Sequence, residues 1–290
     1  MKKNLLSKNI HQWLLLLVCF VGTLPSWAED YTKDGIIYDI NTSTNTATVK
    51  RVEDETMTSA NIKSRVAGCE VTSIGQGAFI FCSSLTSINI PSSVTSIEAC
   101  AFSDCRSLTS INIPSSVTSI HRQTFQDCSS LTSINIPSSV TSIGYAAFYG
   151  CSSLTSINIP SSVTSIGSEA FDGCSSLTSI NIPSSVTSIE GGAFSGSNAL
   201  TALTVDANNP NYSVEGCMLF NKEKTTLISA FGNQKTYKIP SSVTRIGENA
   251  FWGCSALTSI NIPSSVTRID RYAFLCCNAL KVALIQPDRI

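Results

Sequence analysis

The sequence predicts an α/β repeat solenoid, in which one short supersecondary unit stacks on the next. The first observation is a 23-residue unit, exemplified by residues 128–150, that recurs with little change along most of the chain. The second is that one unit has only eight apolar positions, too few to enclose a core, so neighbouring units must share one. The third is a phenylalanine at a fixed place in each copy, which predicts a structural core column. Its members are Phe79, Phe102, Phe125, Phe148, Phe171 and Phe194, followed after an interruption by Phe251 and Phe274.

Each element of the unit follows from its residues. The β-branched, alternating stretch 131–136 predicts a short strand, and Pro137 ends it because proline has no N–H for the strand ladder. Residues 140–143 predict a second short strand, which ends at Gly144. Residues 147–151 are long enough for one helical turn. Parallel strands stacked in this way predict a curved rod with a dry interior.

The repeat has the pattern L-x-x-I-x-I-P-x-x-V-x-x-I-x-x-x-A-F-x-x-C over residues 69–290. This pattern resembles the BspA-like leucine-rich repeats of bacterial surface proteins. The resemblance implies a leucine-rich repeat solenoid that binds other molecules without catalysing a reaction. It also implies adhesion to host matrix proteins or to other cells, which makes the chain an adhesin-like interaction module.

Residues 1–28 have the features of a secretory signal peptide. Lysines precede the apolar run 13–21, and small residues, Ser26 and Ala28, occupy the positions expected before a cleavage site. This predicts export to the cell surface or the extracellular space, with the periplasm as the alternative. No stretch is long and apolar enough to predict a membrane span. Residues 29–290 carry 16 basic and 20 acidic side chains, and this composition argues against a nucleic-acid partner.

Two segments depart from the repeat. Residues 29–68 predict a small β cap that covers the N-terminal end of the solenoid, which would otherwise expose a bare strand edge. Residues 206–236 predict a hairpin-bearing irregular repeat that keeps the core continuous. The organisation is therefore a signal peptide (1–28), a cap (29–68) and a solenoid (69–290), and we expect a monomer.

Seven cysteines lie three residues after the repeat phenylalanine. Equivalent side chains on stacked strands lie roughly 4.7–4.9 Å apart and point the same way, whereas disulfide geometry needs closer, converging Cβ atoms. The pattern therefore predicts a buried ladder of free thiols, and no disulfide pairing is assigned to Cys69, Cys100, Cys217 or Cys276. The ladder consists of Cys82, Cys105, Cys128, Cys151, Cys174, Cys254 and Cys277.

The sequence does not predict an enzyme. Residues 29–290 contain one histidine, His121, and no paired carboxylates, phosphate loop or dinucleotide motif recur on the repeat. We therefore assign no catalytic residue, no metal site and no cofactor. A β-helix polysaccharide hydrolase is the enzymatic alternative, but it needs an acidic cluster that the repeat lacks.

Two surfaces are candidates for binding an extracellular protein or a glycan. The first is a polar strip of asparagines, for which hydrogen bonding along the stack is the structural alternative. It comprises Asn89, Asn112, Asn135, Asn158, Asn181 and Asn261. The second is the edge around the repeat phenylalanine, where the copies differ most and where aromatic residues occur together with charged residues such as Glu169 and Glu248. Its members are Phe81, Tyr145, Tyr149, Trp252, Tyr272, Arg122 and Arg271. Unconstrained sequence drift at a solvent-facing turn is the alternative explanation of this variation. A structural or antigenic envelope protein without a specific ligand is the competing functional class.

Overall fold

A computed structural model describes residues 29–285, so the predicted signal peptide lies outside the described part of the chain. All regular secondary structure in that part is β. The strands are β1 (Glu29–Lys33), β2 (Ile36–Asn41), β3 (Thr46–Val52), β4 (Ser59–Asn61), β5 (Arg65–Val66), β6 (Cys69–Ile74), β7 (Ser87–Asn89), β8 (Ser96–Ile97), β9 (Ser119–Ile120), β10 (Ser142–Ile143), β11 (Ser165–Ile166), β12 (Ser179–Ile182), β13 (Ser188–Ile189), β14 (Ala202–Val205), β15 (Tyr212–Glu215), β16 (Met218–Asn221), β17 (Thr226–Ala230), β18 (Arg245–Ile246), β19 (Ser259–Ile262), β20 (Arg268–Ile269) and β21 (Val282–Ile285).

The N-terminal residues form a mostly antiparallel sheet. Strands β1, β2 and β3 pair antiparallel in order, and β3 then lies parallel to β6. Strand β6 also pairs in parallel with β8, a short strand from the second segment of a repeat. The non-repeating sheet is therefore continuous with the first rung of the solenoid.

Two parallel ladders run along the repeats. The second segment of each unit supplies β9, β10, β11 and β13, which pair in register with serine on serine and isoleucine on isoleucine. The first segment pairs through β12 and β14 and through single bridges such as Asn112 to Asn135. Side chains reinforce the backbone, because Ser139 and Ser162 donate to the carbonyls of Val117 and Val140 on the preceding rung. These bonds explain why the polar corner residues recur.

The third side of each rung is the turn edge, defined here as the residues from four before to two after each repeat phenylalanine. The one-turn helix predicted there is not confirmed, since the described residues form a series of hydrogen-bonded turns. Residues of positive φ, such as Gln123 (56°) and Asp127 (55°), interrupt each right-handed turn. Their N–H groups point to the next rung, where Gln123 donates to Tyr145 O at 2.8 Å and Asp127 donates to Tyr149 O at 2.7 Å. The turn edge is thus bonded between rungs instead of along a helix.

The repeat phenylalanines stack on one another through the interior. Ring centroids from Phe79 to Phe194 are 5.3–5.8 Å apart, with interplanar angles of 13° or less. These six rings and Phe251 are fully buried, whereas Phe274 on the last rung is partly buried. The rings therefore form a column that ties each rung to its neighbours.

The inserted segment divides this core. Strands β15, β16 and β17 form an antiparallel unit, and β17 then pairs in parallel with β18 to resume the stack. The buried apolar residues fall into two clusters, one from Ile36 to Phe231 and one from Met218 to Ala273, and the partly buried Cys217 packs against both. The buried apolar residues thus form two clusters that meet at β16, where a single continuous core was expected.

Candidate binding edge and seam cleft

The six asparagines of the predicted polar strip are all exposed. Only two of them make side-chain hydrogen bonds within the described residues. Asn89 donates to Asn61 Oδ1 at 2.9 Å, and Asn181 Oδ1 accepts the Thr204 hydroxyl at 2.8 Å. Hydrogen bonding along the stack thus accounts for Asn89 and Asn181 and leaves the other four side chains, those of Asn112, Asn135, Asn158 and Asn261, open to solvent.

The seven cysteines of the predicted ladder are free thiols, and five of them donate to the carbonyl of the phenylalanine 26 residues earlier. Cys128 and Cys151, for example, donate to Phe102 O and Phe125 O at 3.2 and 3.1 Å. Ser197 occupies the same place and donates to Phe171 O at 2.9 Å. Burial raises the pKa of these thiols well above its ordinary value, to about 11 for Cys82 and about 12 for Cys254. Five of the seven thiols therefore act as hydrogen-bond donors, and their raised pKa values favour the protonated form. The remaining free thiols are Cys69, Cys100, Cys217 and Cys276.

Most side chains of the predicted binding edge are exposed on the turn edge. Phe81, Tyr145, Tyr149 and Tyr272 are 56, 45, 37 and 53 % exposed, and Arg122 and Arg271 are also exposed. Trp252 is half-buried. The structure does not gather these residues into one patch, because Phe81 and Arg122 lie on early rungs. It does bring Trp252 and Tyr272 together in an edge-to-face pair with centroids 6.3 Å apart.

Tyr145 and Tyr149 lie beside two carboxylates. The Tyr145 hydroxyl bonds Glu169 Oε2 at 3.1 Å. Asp172 is buried (6 % exposed), and this burial, with the nearby Glu169 charge, raises its pKa to about 7. Asp172 was not predicted as a site residue; the signal for it in the sequence is a charged residue directly after the repeat phenylalanine.

The turn edges on either side of the insertion lie in contact, but within the described residues no backbone hydrogen bond joins them. In the regular stack the Phe148 and Phe171 amides donate to the alanine carbonyls of the next rung, both at 2.8 Å. Within residues 29–285, Phe194 makes no such bond, because the corresponding carbonyl, that of Ala250, accepts Ala230 N–H instead. Ser195 Oγ, 3.4 Å from Asn249 O, bridges the two edges. We call this junction between the Phe194 and Phe251 turns the seam.

The strand ladder is also interrupted at the seam. Strand β13 ends its sheet, and the Tyr212 hydroxyl takes the place of a neighbouring strand. This hydroxyl accepts Ile189 N–H at 2.7 Å and donates to Thr187 O at 3.2 Å. Tyr212 therefore satisfies two backbone groups at the open edge of β13, an edge that in the regular stack pairs with the next rung.

A cleft of about 760 Å³ opens along the seam, which we call the seam cleft. Residues of four successive turns line it, together with β13 and β17 of the interrupted ladder. Its acidic residues are Glu169, Glu190 and Glu248, and its aromatic residues are Trp252 and Tyr272. The rest of the lining is Ser168, Ile189, Gly191, Thr226, Ile228, Arg245, Gly247, Asn249 and Leu275.

The other candidate chemical groups stay dispersed. His121 Nε2 lies 4.0 Å from Glu98 at the surface, and Cys100 Sγ lies 3.6 Å from Gln123 Oε1. Across residues 29–285, no three His, Cys, Asp or Glu side chains come together in a way that could hold a metal ion. Within the same range, no helix has the length and hydrophobicity needed to cross a membrane.

Stacked parallel strands, a 23-residue register and a column of identical core rings define a leucine-rich repeat solenoid. A family model described as "BspA type Leucine rich repeat region (6 copies)" matches residues 50–153, 97–224 and 224–288. The chain therefore belongs to the BspA-type leucine-rich repeat family. A search of curated proteins finds no match.

Solved structures agree with this assignment. A leucine-rich repeat protein from Bacteroides ovatus ATCC 8483 is 32% identical, with a TM-score of 0.65 over 89% of this chain and 71% of that one. The leucine-rich repeat protein of T. pallidum is 27% identical, with a TM-score of 0.56 over 62% of this chain and 90% of that one. The pneumococcal vaccine antigen PcpA shares the fold, with 23% identity and a TM-score of 0.67 over 89% of this chain and 70% of that one.

Proposed function

We propose that this chain is an exported, non-catalytic binding protein of the bacterial cell surface or extracellular space, which attaches to an extracellular protein or glycan. In this proposal residues 1–28 direct export and are removed, the sheet of residues 29–68 caps the stack, and the monomer presents its turn edge to the partner. Host matrix proteins and other cells are the partners that the family resemblance implies.

The observation that carries the proposal is the exposure of aromatic side chains along the turn edge. Tyr145, Tyr149 and Tyr272 are exposed on a scaffold whose other large apolar side chains are mostly buried, and Trp252 is half-buried beside Tyr272. Tyrosine and tryptophan are enriched where proteins bind one another, because they bury a large area at a small cost in side-chain entropy. The rigid inter-rung bonding of the turn edge holds them in place before binding.

The test is adhesion by two matched triple variants of the full chain. Replacing Tyr145, Tyr149 and Trp252 by alanine removes edge aromatics, whereas replacing Asn112, Asn135 and Asn158 by alanine removes the centre of the polar strip. Binding to immobilised matrix proteins and to cells is measured after thermal unfolding shows that both variants fold. We expect the edge variant to lose at least about tenfold in affinity, while the strip variant binds as the natural chain does.

Other outcomes change the proposal in defined ways. Loss of binding only in the strip variant would assign the partner to the asparagines. Undiminished binding by both folded variants would contradict a role for either surface. Absence of any partner for the natural chain would favour the structural or antigenic envelope role.

A further inference from the structure

The seam cleft carries a net negative charge. Glu169, Glu190 and Glu248 line it, and the latter two are exposed. The cation in its lining, Arg245, is already paired with Asp270 at 2.6 Å. Glu190 Oε2 accepts Ser168 N–H at 3.1 Å and Glu169 Oε2 accepts the Tyr145 hydroxyl, but within the described residues none of the three carboxylates is paired with a cation. The cleft therefore offers negative charge to a positively charged ligand.

One wall of the cleft suits the apolar stem of a basic side chain. Trp252 and Tyr272 stand edge to face, and Leu275 beside them is 43 % exposed. Lysine and arginine lay their methylene groups on apolar surface and place their charge near aromatic rings or carboxylates. The seam cleft offers both, an aromatic wall for the methylene groups and carboxylates for the charge.

The cleft also contains hydrogen-bond acceptors without donors. Asn249 lines it and is buried (4 % exposed), yet its Oδ1 has no hydrogen-bond partner in the described residues. In the regular stack Ile143 O accepts Gly167 N–H at 2.8 Å, but Gly247, the counterpart at the seam, donates to Leu227 O. The carbonyl of Ile189 consequently receives no N–H from the described part of the chain. A buried acceptor such as Asn249 Oδ1 and an unpaired strand carbonyl such as that of Ile189 both suit a ligand that brings N–H donors.

We propose that the seam cleft is a docking site for a basic, extended peptide segment of a partner protein. A lysine or arginine of that segment lies against Trp252 and Tyr272 within the field of Glu169, Glu190 and Glu248. Its backbone N–H groups meet the acceptors that the interrupted stack leaves at Asn249 and Ile189. This inference deepens the proposed binding function and rests on it, because it assigns the partner's chemistry.

The test titrates the full chain by isothermal titration calorimetry with three probes. Two are end-blocked peptides, tetralysine and tetraarginine, and the third is a neutral saccharide, cellotetraose. We expect the two basic peptides to bind, with an affinity that falls as salt rises, and the saccharide not to bind. The double variant Glu190→Gln with Glu248→Gln should weaken the basic probes by roughly tenfold or more. The matched control is Glu53→Gln with Glu55→Gln, which removes two exposed charges from the N-terminal segment and should leave binding unchanged.

A further variant separates the amide from the charge. Asn249 has a positive φ of 56°, and the equivalent residues Gly77 and Gly192 are glycines with positive φ. Asn249→Gly therefore removes the side chain without straining the backbone. We expect roughly threefold weaker binding of the basic probes with no loss of folding stability.

Several results would overturn the inference: equal losses in the two double variants, binding of cellotetraose in place of the peptides, or no heat with any probe. A chain that captures matrix proteins or cells but binds no basic peptide would refute this inference and leave the proposed function standing. A chain that binds basic peptides at the cleft but captures no partner would refute the proposed function instead.

Discussion

The regular stack from Phe79 to Phe194 and the segment around the insertion use the same apolar residue types in different ways. In the stack, every rung bonds to the next through the turn edge and through a buried thiol or, at Ser197, a hydroxyl, and β9, β10, β11 and β13 pair in one ladder. At the seam, the ladder stops, the turn-edge bonds are missing within the described residues, and a tyrosine hydroxyl fills one gap. The repeated bonds between rungs stabilise the stack. Where these bonds are missing, at the seam, the chain has unpaired acceptors and a cleft.

The largest expected difference between the two regions concerns their core rings. Phe148 lies between two parallel rings at 5.5 and 5.4 Å, whereas Phe251 lies between Phe274 at 5.0 Å and the edge of Tyr237. Phe148→Ala should cost about 3–5 kcal/mol and loosen several rungs together. Phe251→Ala should cost a similar amount but affect only the second cluster.

Denaturant unfolding followed by hydrogen exchange and mass spectrometry checks this pair of variants. Increased exchange over residues 79–205 is expected for Phe148→Ala, and over residues 218–285 for Phe251→Ala. If both variants loosened the whole chain equally, the division of the core at the insertion would be wrong.

The second expected effect is the pH dependence that Asp172 gives to the end of the regular stack. Its folded pKa of about 7 lies above its ordinary value of 3.8, so the folded chain retains a proton that the unfolded chain releases. Stability should therefore fall as the pH rises from about 4 to 7, by at most about 4 kcal/mol, and stay level above that. Asp172→Asn should abolish this fall and raise stability at neutral pH.

Thermal unfolding between pH 4 and 8 measures the effect of Asp172. Glu223→Gln, which removes one charge from the hairpin connection between β16 and β17, is the matched control and should keep the natural pH dependence. If stability changed with pH equally in Asp172→Asn and in the natural chain, the buried Asp172 carboxyl would not be the source of the pH dependence.

A smaller difference is expected between two thiols. Cys151 donates to Phe125 O at 3.1 Å, whereas Cys254 at the seam has the Tyr237 hydroxyl at 3.8 Å and no phenylalanine carbonyl. Cys151→Ser keeps a donor, as Ser197 does naturally, and should be milder than Cys151→Val, which loses about 0.5–1.5 kcal/mol with the hydrogen bond. At Cys254 the serine and valine variants should differ less. Chemical denaturation of the four variants measures their free energies of unfolding. If serine and valine differed equally at Cys151 and Cys254, the hydrogen bond to the phenylalanine carbonyl would not explain the difference.

The sequence was sufficient to predict what repeats. Because each copy must fit the same neighbours, the period alone predicts the solenoid, and an identical position such as Phe148 belongs to a shared interior. It also predicts free thiols, since parallel stacking separates equivalent cysteines. The positive-φ turns were missed because Gln123 and Asp127 are not glycine, the residue type that usually marks a backbone position of positive φ.

The seam cleft was harder to predict for a different reason. Trp252, Tyr272 and Glu248 were noted as variable residues, but their meeting with Glu169 and Glu190 depends on how the insertion displaces the stack. Nothing in the local pattern indicates that Tyr212 would plug β13 or that Ala250 O would accept Ala230 N–H. A repeat pattern predicts the structure of the regular rungs, but the packing at an interruption of the repeat is visible only in the three-dimensional structure.

The central claim is that the hydrogen-bonded stack is interrupted between the Phe194 and Phe251 turns. Native-state hydrogen exchange of the Phe171 and Phe194 amides, resolved by nuclear magnetic resonance, tests it most directly. Both residues are fully buried, but within the described residues only the Phe171 N–H donates to a carbonyl, that of Ala193. We expect the Phe194 amide to exchange at least about tenfold faster than that of Phe171. Equal protection of the two amides would contradict the interruption and the cleft that follows from it.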